Sequence, residues 1–255
     1  MNDTVPGTLP QLRPLTARSI VLSTLLGHHP PRLPARALVR VGELFGVAEG
    51  TVRVALSRMV AAGDLDQDDR GYGLTARLLD RQARQDESRA PRLRPWRGDW
   101  ELAVAGGERR PAAERAALRR DMARLRLAEL REGTWLRPAN LDHDLATQVG
   151  HRCTVFTTAV PADDPLRLAG RLWDLGAWSR RAHALVAAMD RSAGPAERFT
   201  LSAAALRHLL TDPLLPDPLL PGHWPGEELR RRYDAFENEL AAVLRGHLTG
   251  GAAQE

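Results

Sequence analysis

An α+β protein is predicted, and three observations predict it. Residues 35–75 hold two amphipathic helical stretches followed by a short hairpin. Residues 96–175 follow a strand–helix–strand–strand–helix order, and residues 176–255 are helical and punctuated by prolines. These parts read as a winged helix-turn-helix at 15–90, a ferredoxin-like α+β domain at 96–175 and a helical C-terminal domain at 176–255. With 255 residues, 43% of them hydrophobic, the chain is long enough to bury sizeable cores.

The first part opens with Ser19–Gly27 (SIVLSTLLG), an apolar helix suited to pack behind the pair that follows. His28–Pro34 is a proline-rich break. The next helix carries Ala37, Leu38, Val41 and Leu44; Gly46 ends it and Val47 plugs the turn. The second helix places Val52, Leu56, Met59 and Val60 in one stripe at about 100° per residue. Its opposite face shows Gly50, Val54, Ser57 and Ala61, with Arg53 and Arg58 on the shoulders and Thr51 beside them. Small and polar groups between arginines suit a major groove; a helical hairpin with a solvated basic face is the plainer alternative. At the N-cap Ala48 offers no side-chain acceptor, and Glu49 partly offsets this through the helix dipole. Gly63 is placed as a C′ glycine. Asp64–Gln67 and Arg70–Leu74 then form a hairpin around Asp68-Asp69-Arg70-Gly71. Asp64, Asp66, Asp68 and Asp69 would repel phosphates, which leaves Arg70 as the wing residue for DNA. Thr75–Arg89 is a polar helix read as a linker or dimer contact, and Ala90–Pro95 ends it.

In the second part Trp100–Ala105 (WELAVA) reads as a buried strand and Pro111–Leu130 as one helix with Leu118, Met122, Leu125 and Leu130 inward. Gly133–Arg137 and Arg152–Val160 are strands, the latter rich in β-branched residues, and Pro165–Leu175 returns to helix. In the third part helices are expected at Trp178–Met189, Leu201–Leu210 and Gly226–Leu248, with a stiff loop of five prolines from 213 to 225 and frayed last residues.

All 36 basic residues are arginine, and the net charge is +4. Residues 1–95 hold 14 arginines against 10 acids; the remainder holds 22 against 22. The formal excess therefore lies with the helix-turn-helix, the distribution of a module that meets nucleic acid. A single cysteine, Cys153, excludes an internal disulfide. No apolar run nears the ~20 residues of a membrane span, and the N-terminus does not read as a signal peptide, so a soluble cytoplasmic protein is expected. His143, His151 and Cys153 do not match a common zinc spacing, and no nucleophile elbow, phosphate loop or dinucleotide fingerprint occurs. No metal, cofactor or enzyme chemistry is predicted.

Three stretches resemble the PaaX family of transcriptional regulators, named for repressors of phenylacetic-acid catabolism. They are TVRVALSRMVAAGDL at 51–65, Trp96 and Trp100 with ERAALRRDMARLRLAELREGTWLRPANL at 114–141, and DPLLPDPLLPGHWPGEELRRRY at 212–233. The resemblance spans about residues 16–248. It implies a homodimer on double-stranded operator DNA, usually a repressor, released by an aryl-CoA thioester such as phenylacetyl-CoA. By position it implies that Arg53, Ser57 and Arg58 face DNA, with Gly50, Thr51 and Val54 nearby. His183, His223, the acidic wing and the N-terminal PGTLPQLRP extension depart from the family pattern.

An aryl effector would suit tryptophans, and Trp100, Trp135 and Trp173 are the candidates, with Arg120 and Arg124 for its phosphates. Core anchoring of those tryptophans, and a solvated face for the run Arg109, Arg110, Arg119, Arg120 and Arg124, are the structural alternatives. Two further functions compete. One is a metal-dependent nuclease, because a ferredoxin-like domain also occurs in a small CRISPR-associated nuclease with a carboxylate at a strand end. Here Asp99 starts the first strand, while Ala105-Gly106-Gly107 at its other end offers no ligand. The other is a DNA-associated protein without an effector.

Overall fold

The N-terminal winged helix is built from short elements whose ends are set by local chemistry. In this computed structural model, which describes residues 15–106, 110–192 and 194–249, α1 spans Ala17–Gly27. The N-terminal extension, Gly107, Arg109 and the last residues expected to fray lie outside the described residues. Thr16 and Ser19 cap α1 reciprocally: the Ser19 N–H donates to Thr16 Oγ1 at 3.1 Å and the Thr16 N–H to Ser19 Oγ at 2.8 Å. Helices α2 (Ala35–Leu44) and α3 (Glu49–Ala61) follow. A Cβ on Gly42 would meet Val52 Cγ2 at 2.4 Å, so only glycine lets α2 lie this close to α3. Helix α3 ends in a Schellman motif. Gly63, at φ 69°, donates to Val60 O, and Asp64 donates to Met59 O, both at 2.9 Å.

The wing is a three-stranded antiparallel sheet in the order β1 (Arg32–Leu33), β3 (Gly71–Leu74), β2 (Leu65–Asp68). Ile20, Leu25, Leu38, Val52, Leu56 and Met59 are buried beneath it and between the helices. Helix α4 (Ala76–Arg89), read from the sequence as a linker or dimer contact, packs one side against α1 and leaves the other exposed. It buries Leu78, and its Gln82 side chain donates to Leu26 O at 2.9 Å and His28 O at 3.0 Å, closing the orphan carbonyls at the end of α1. A polar side chain thus does the packing that the sequence pattern reserves for apolar ones.

Two compact units divide the chain. The first takes residues up to Arg89, Arg181–Leu210 and those from Gly226 onward. Residues 176–255, one part in the sequence reading, are therefore shared between the units. In the first unit α9 (Pro195–Leu209) and α10 (Gly226–Thr249) join the winged helix. Phe45 meets Phe199 at 4.8 Å, Arg89 pairs with Asp234 at 2.9 Å, and Arg230 donates to Ser88 O at 2.9 Å.

The second unit is Ala90–Arg180 with Thr211–Pro225. Its antiparallel sheet runs β5 (Ala128–Arg131), β6 (Thr134–Pro138), β4 (Trp100–Ala105), β7 (Cys153–Ala159). With α5 (Ala112–Arg124) after β4 and the short α6 (Leu145–Val149) before β7, this is the β-α-β-β-α-β ferredoxin-like pattern. Helix α5 stops six residues short of the Leu130 end expected from the sequence. Arg126 takes φ 63° and donates to Ala123 O at 3.1 Å, while Leu127 donates to Met122 O at 3.0 Å. That is the same stop motif as at Gly63, made by arginine, and the residues beyond it form β5. Helix α7 (Pro165–Leu172) and α8 (Leu175–Arg191) follow, α8 beginning in the second unit and ending in the first. The proline segment is core material: Leu215 and Leu219 are buried with Trp100, and Asn140 Nδ2 donates to Leu214 O at 2.9 Å.

Beneath the sheet, Arg137 and Glu101 are almost completely buried. Arg137 donates to Asn140 Oδ1 at 2.8 Å and to Pro138 O at 3.0 Å, while Glu101 Oε2 lies 2.8 Å from His143 Nε2. The charges are tolerated because each has partners within reach. Among the described residues no helix is long and apolar enough to cross a membrane.

Candidate nucleic-acid interface

The exposed surface of α3 is built by its own periodicity. Val52, Leu56 and Met59 are buried inward, which turns Gly50, Thr51, Arg53, Val54, Ser57 and Arg58 outward, all six exposed. Gly50, Thr51, Val54 and Arg58 border an open groove of ≈ 620 Å³ with Thr16 and Arg18 of the α1 end. Val54 is half exposed, in reach of a thymine methyl or any other apolar contact. Ser57 stands between Arg53 and Arg58 on the same face.

The arginines differ in commitment. Arg53 Nε donates to Glu49 Oε1 at 2.7 Å, one turn back on α3, and both side chains are more than half exposed. Such an exposed i,i+4 pair is worth about 0.3–0.5 kcal/mol and exchanges readily for a phosphate. Arg58 has no carboxylate partner among the described residues. Arg70 sits at the wing tip, where its guanidinium lies 3.5 Å from Asp68 Oδ2 and its N–H donates to Asp68 Oδ1 at 2.9 Å.

The acidic wing is largely neutralised from within. Arg32 of β1 grips both Asp66 and Asp68, the latter at 2.8 Å. Asp64, 4% exposed at its side chain, is held by Arg18 at 2.5 Å and by Arg77. Desolvation works against ionisation of Asp68, yet the Arg70 N–H and the Arg32 and Arg70 charges together hold its carboxyl below the usual range. Only Asp69 remains without an arginine among the described residues. The repulsion expected from four carboxylates is therefore mostly spent on protein cations. No local pattern in the sequence could show this, because Arg18 and Arg32 lie more than thirty residues from the acids they meet.

The effector candidates do not form one site. Trp100 and Trp173 are stacked 6.5 Å apart on one side of the sheet. Trp135 pairs in register with Ala103 and packs with Leu118 and Met122 on the other side. Adjacent strand residues face opposite ways, so the sheet itself separates them. Trp100 is fully buried, with its Nε1 unpartnered. Beside Trp135 lies a ≈ 260 Å³ groove edged by Arg110, Arg115 and Arg119, not by Arg120 or Arg124. Arg115 and Arg119 already face Glu132 and Glu129, and Arg124 pairs with Asp121 at 3.3 Å.

Among the described residues no three His, Cys, Asp or Glu side chains gather as a metal site. His143 is engaged by Glu101, and burial, against the pull of Arg110 and Arg152, raises the Cys153 thiol. Asp99, on which the nuclease reading rested, uses its carbonyl to accept from Trp96 Nε1 at 2.6 Å and from the Ala139 N–H at 3.0 Å.

A winged helix joined to a ferredoxin-like sheet and a helical tail defines the class. Family models agree with that layout in order. A PaaX-like protein model matches residues 16–78, the PaaX protein central Cas2-like domain matches 93–161, and the PaaX-like protein C-terminal domain matches 175–250. The chain belongs to the PaaX family, a family of transcriptional regulators. It is also similar to a solved structure, uncharacterized protein Rv0674 from Mycobacterium tuberculosis. The two are 47% identical, with a TM-score of 0.78, over 91% of this chain and 98% of that one. No curated protein matches the chain.

Proposed function

We propose that this chain is a ligand-responsive repressor that reads operator DNA as a cytoplasmic homodimer. Two copies of α3, related by a two-fold axis, enter successive major grooves about 34 Å apart. Arg58 and Arg53 contact phosphate or guanine, Ser57 and Thr51 reach base edges, Val54 touches a thymine methyl and Arg70 steadies the wing. An aryl-CoA thioester, phenylacetyl-CoA first among them, releases the dimer by favouring a state in which the two α3 helices no longer match the half-sites.

One observation carries the reading: all six candidate contact residues of α3 stand exposed on one face, while the buried stripe behind them fixes the helix in place. The test begins with selection of a tight-binding duplex from a random-sequence pool, followed by gel-shift titration and light scattering. The expected species is two chains per duplex. Arg58→Ala weakens binding about tenfold or more, the value of one charge-assisted contact, with melting temperature unchanged. Addition of phenylacetyl-CoA releases the duplex. Wild-type affinity in Arg53→Ala, Ser57→Ala and Arg58→Ala alike would remove α3 as the reading element.

A further inference from the structure

Inside the first unit a groove of ≈ 340 Å³ runs between α1 and α4 on one side and α9 and α10 on the other. That is at the small end of ligand pockets, which span about 300–1,000 Å³. Leu22 and Leu26 of α1, Phe199 and Leu206 of α9 and Phe236 of α10 give it an apolar wall. One buried polar side chain borders it without a partner: Ser202, 2% exposed, has no hydrogen bond to its hydroxyl. Buried polar groups are nearly always matched, so an unmatched hydroxyl at a cavity calls for an occupant with hydrogen-bonding capacity.

The rim carries Arg18, Arg81 and Arg207. Arg81 has no carboxylate partner among the described residues. Burial, and then the charges of Arg18, Arg84 and Arg207, hold its guanidinium below the ordinary arginine range. The acid at the groove is Glu237. Burial raises its carboxyl against the opposing Tyr233 hydrogen bond and Arg89 charge, which draws it toward the neutral form.

We infer that this groove binds a small organic anion with an apolar body, its acid group at Arg81 and Arg18 and its body over Leu22, Leu26 and Phe199. Arg18 gives the site a route to the DNA-facing surface. It also borders the α3 groove beside Gly50, Thr51 and Arg58, and it holds Asp64 at the junction of α3 and the wing. A bound carboxylate competes for Arg18 and leaves Asp64 to Arg77 alone, which loosens the wing against α3. That consequence rests on α3 being the reading element; the binding itself does not.

Calorimetric titration of the full chain tests the site, with sodium octanoate as probe and 1-octanol and inorganic phosphate as controls. Octanoate binds saturably at one site per chain, and each control binds at least tenfold more weakly. Arg81→Ala weakens octanoate about tenfold, and Ala203→Leu, which narrows the groove, removes binding. Circular dichroism and melting temperature stay unchanged in both. Absence of saturable octanoate binding, phosphate binding as tight as octanoate, or wild-type affinity in both variants overturns the inference. Gel shifts with octanoate then separate the two readings. Octanoate binding with unaltered duplex affinity removes the route through Arg18, whereas a chain that binds octanoate but no duplex removes the role given to α3.

Discussion

Helices α3 and α5 are of equal length and both bear arginines, but their arginines stand in different charge surroundings. Each buries a narrow stripe: Val52, Leu56 and Met59 in α3, Leu118 and Met122 in α5. On α5 three of the four arginines are committed to the same unit, and Arg120 alone has no carboxylate partner among the described residues. Arg119 pairs with Glu129 at 2.8 Å and Arg115 faces Glu132, both in the hairpin of β5 and β6, while Arg124 takes Asp121. On α3 the only acid paired with an arginine among the described residues is Glu49, on the helix itself and exposed. The difference teaches that the number of arginines on a helix says little about binding. What matters is whether the fold has already supplied their counter-charges.

The largest effects belong to what the two helices share. Leu56→Ala and Met122→Ala should each cost about 2–5 kcal/mol in denaturant unfolding, since each empties a fully buried position. A loss near zero at Leu56 would mean that α3 is not anchored by its inner stripe. Next come substitutions that divide them. Arg58→Ala should lower duplex affinity about tenfold at unchanged stability, while Arg119→Ala leaves affinity intact and slightly lowers the melting temperature. Equal losses of affinity would erase the distinction. A finer test is Arg53→Gln, which gives up the Glu49 pair at a cost of about 0.3–0.5 kcal/mol and should flatten the salt dependence of duplex binding by about one phosphate contact. An unaltered slope would show that Arg53 does not reach the backbone.

The smallest effect lies in the seam of the first unit. The Glu237 carboxyl is raised, chiefly by burial, so the folded state holds its proton more tightly than the unfolded state. Its contribution is therefore fully present in acid and is lost as pH rises through the raised pKa. Glu237→Gln should raise the melting temperature at neutral and alkaline pH and give no gain near pH 4. A gain independent of pH would point to packing instead.

Helix ends show where the sequence is legible. Gly46 and Gly63 both mark stops, and both take positive φ, at 72° and 69°. Arg126 makes the same stop at φ 63°, but arginine has no local reason to be read that way, so α5 runs on to Leu130 in the sequence reading and β5 is lost inside it. The outward face of α3 was legible for a similar reason, because one helical period fixes both its faces. The state of the wing was not: its acids are local, but their partners Arg18 and Arg32 arrive from elsewhere. Likewise Trp100 and Trp135 look like neighbours of one pocket until strand register places them on opposite sides of the sheet.

Periodicity, turn residues and strand order determined by themselves the winged helix, three of the four strands of the ferredoxin-like sheet and the residues that α3 turns outward. These are properties of short stretches, where each residue's neighbours in the chain are also its neighbours in space. Tertiary structure alone decided which charges are paired and which are not, how the C-terminal helices are divided, and that a groove with an unmatched buried hydroxyl lies behind the winged helix. Ion pairing and cavity formation depend on side chains far apart in the chain, and only the packed fold fixes those distances.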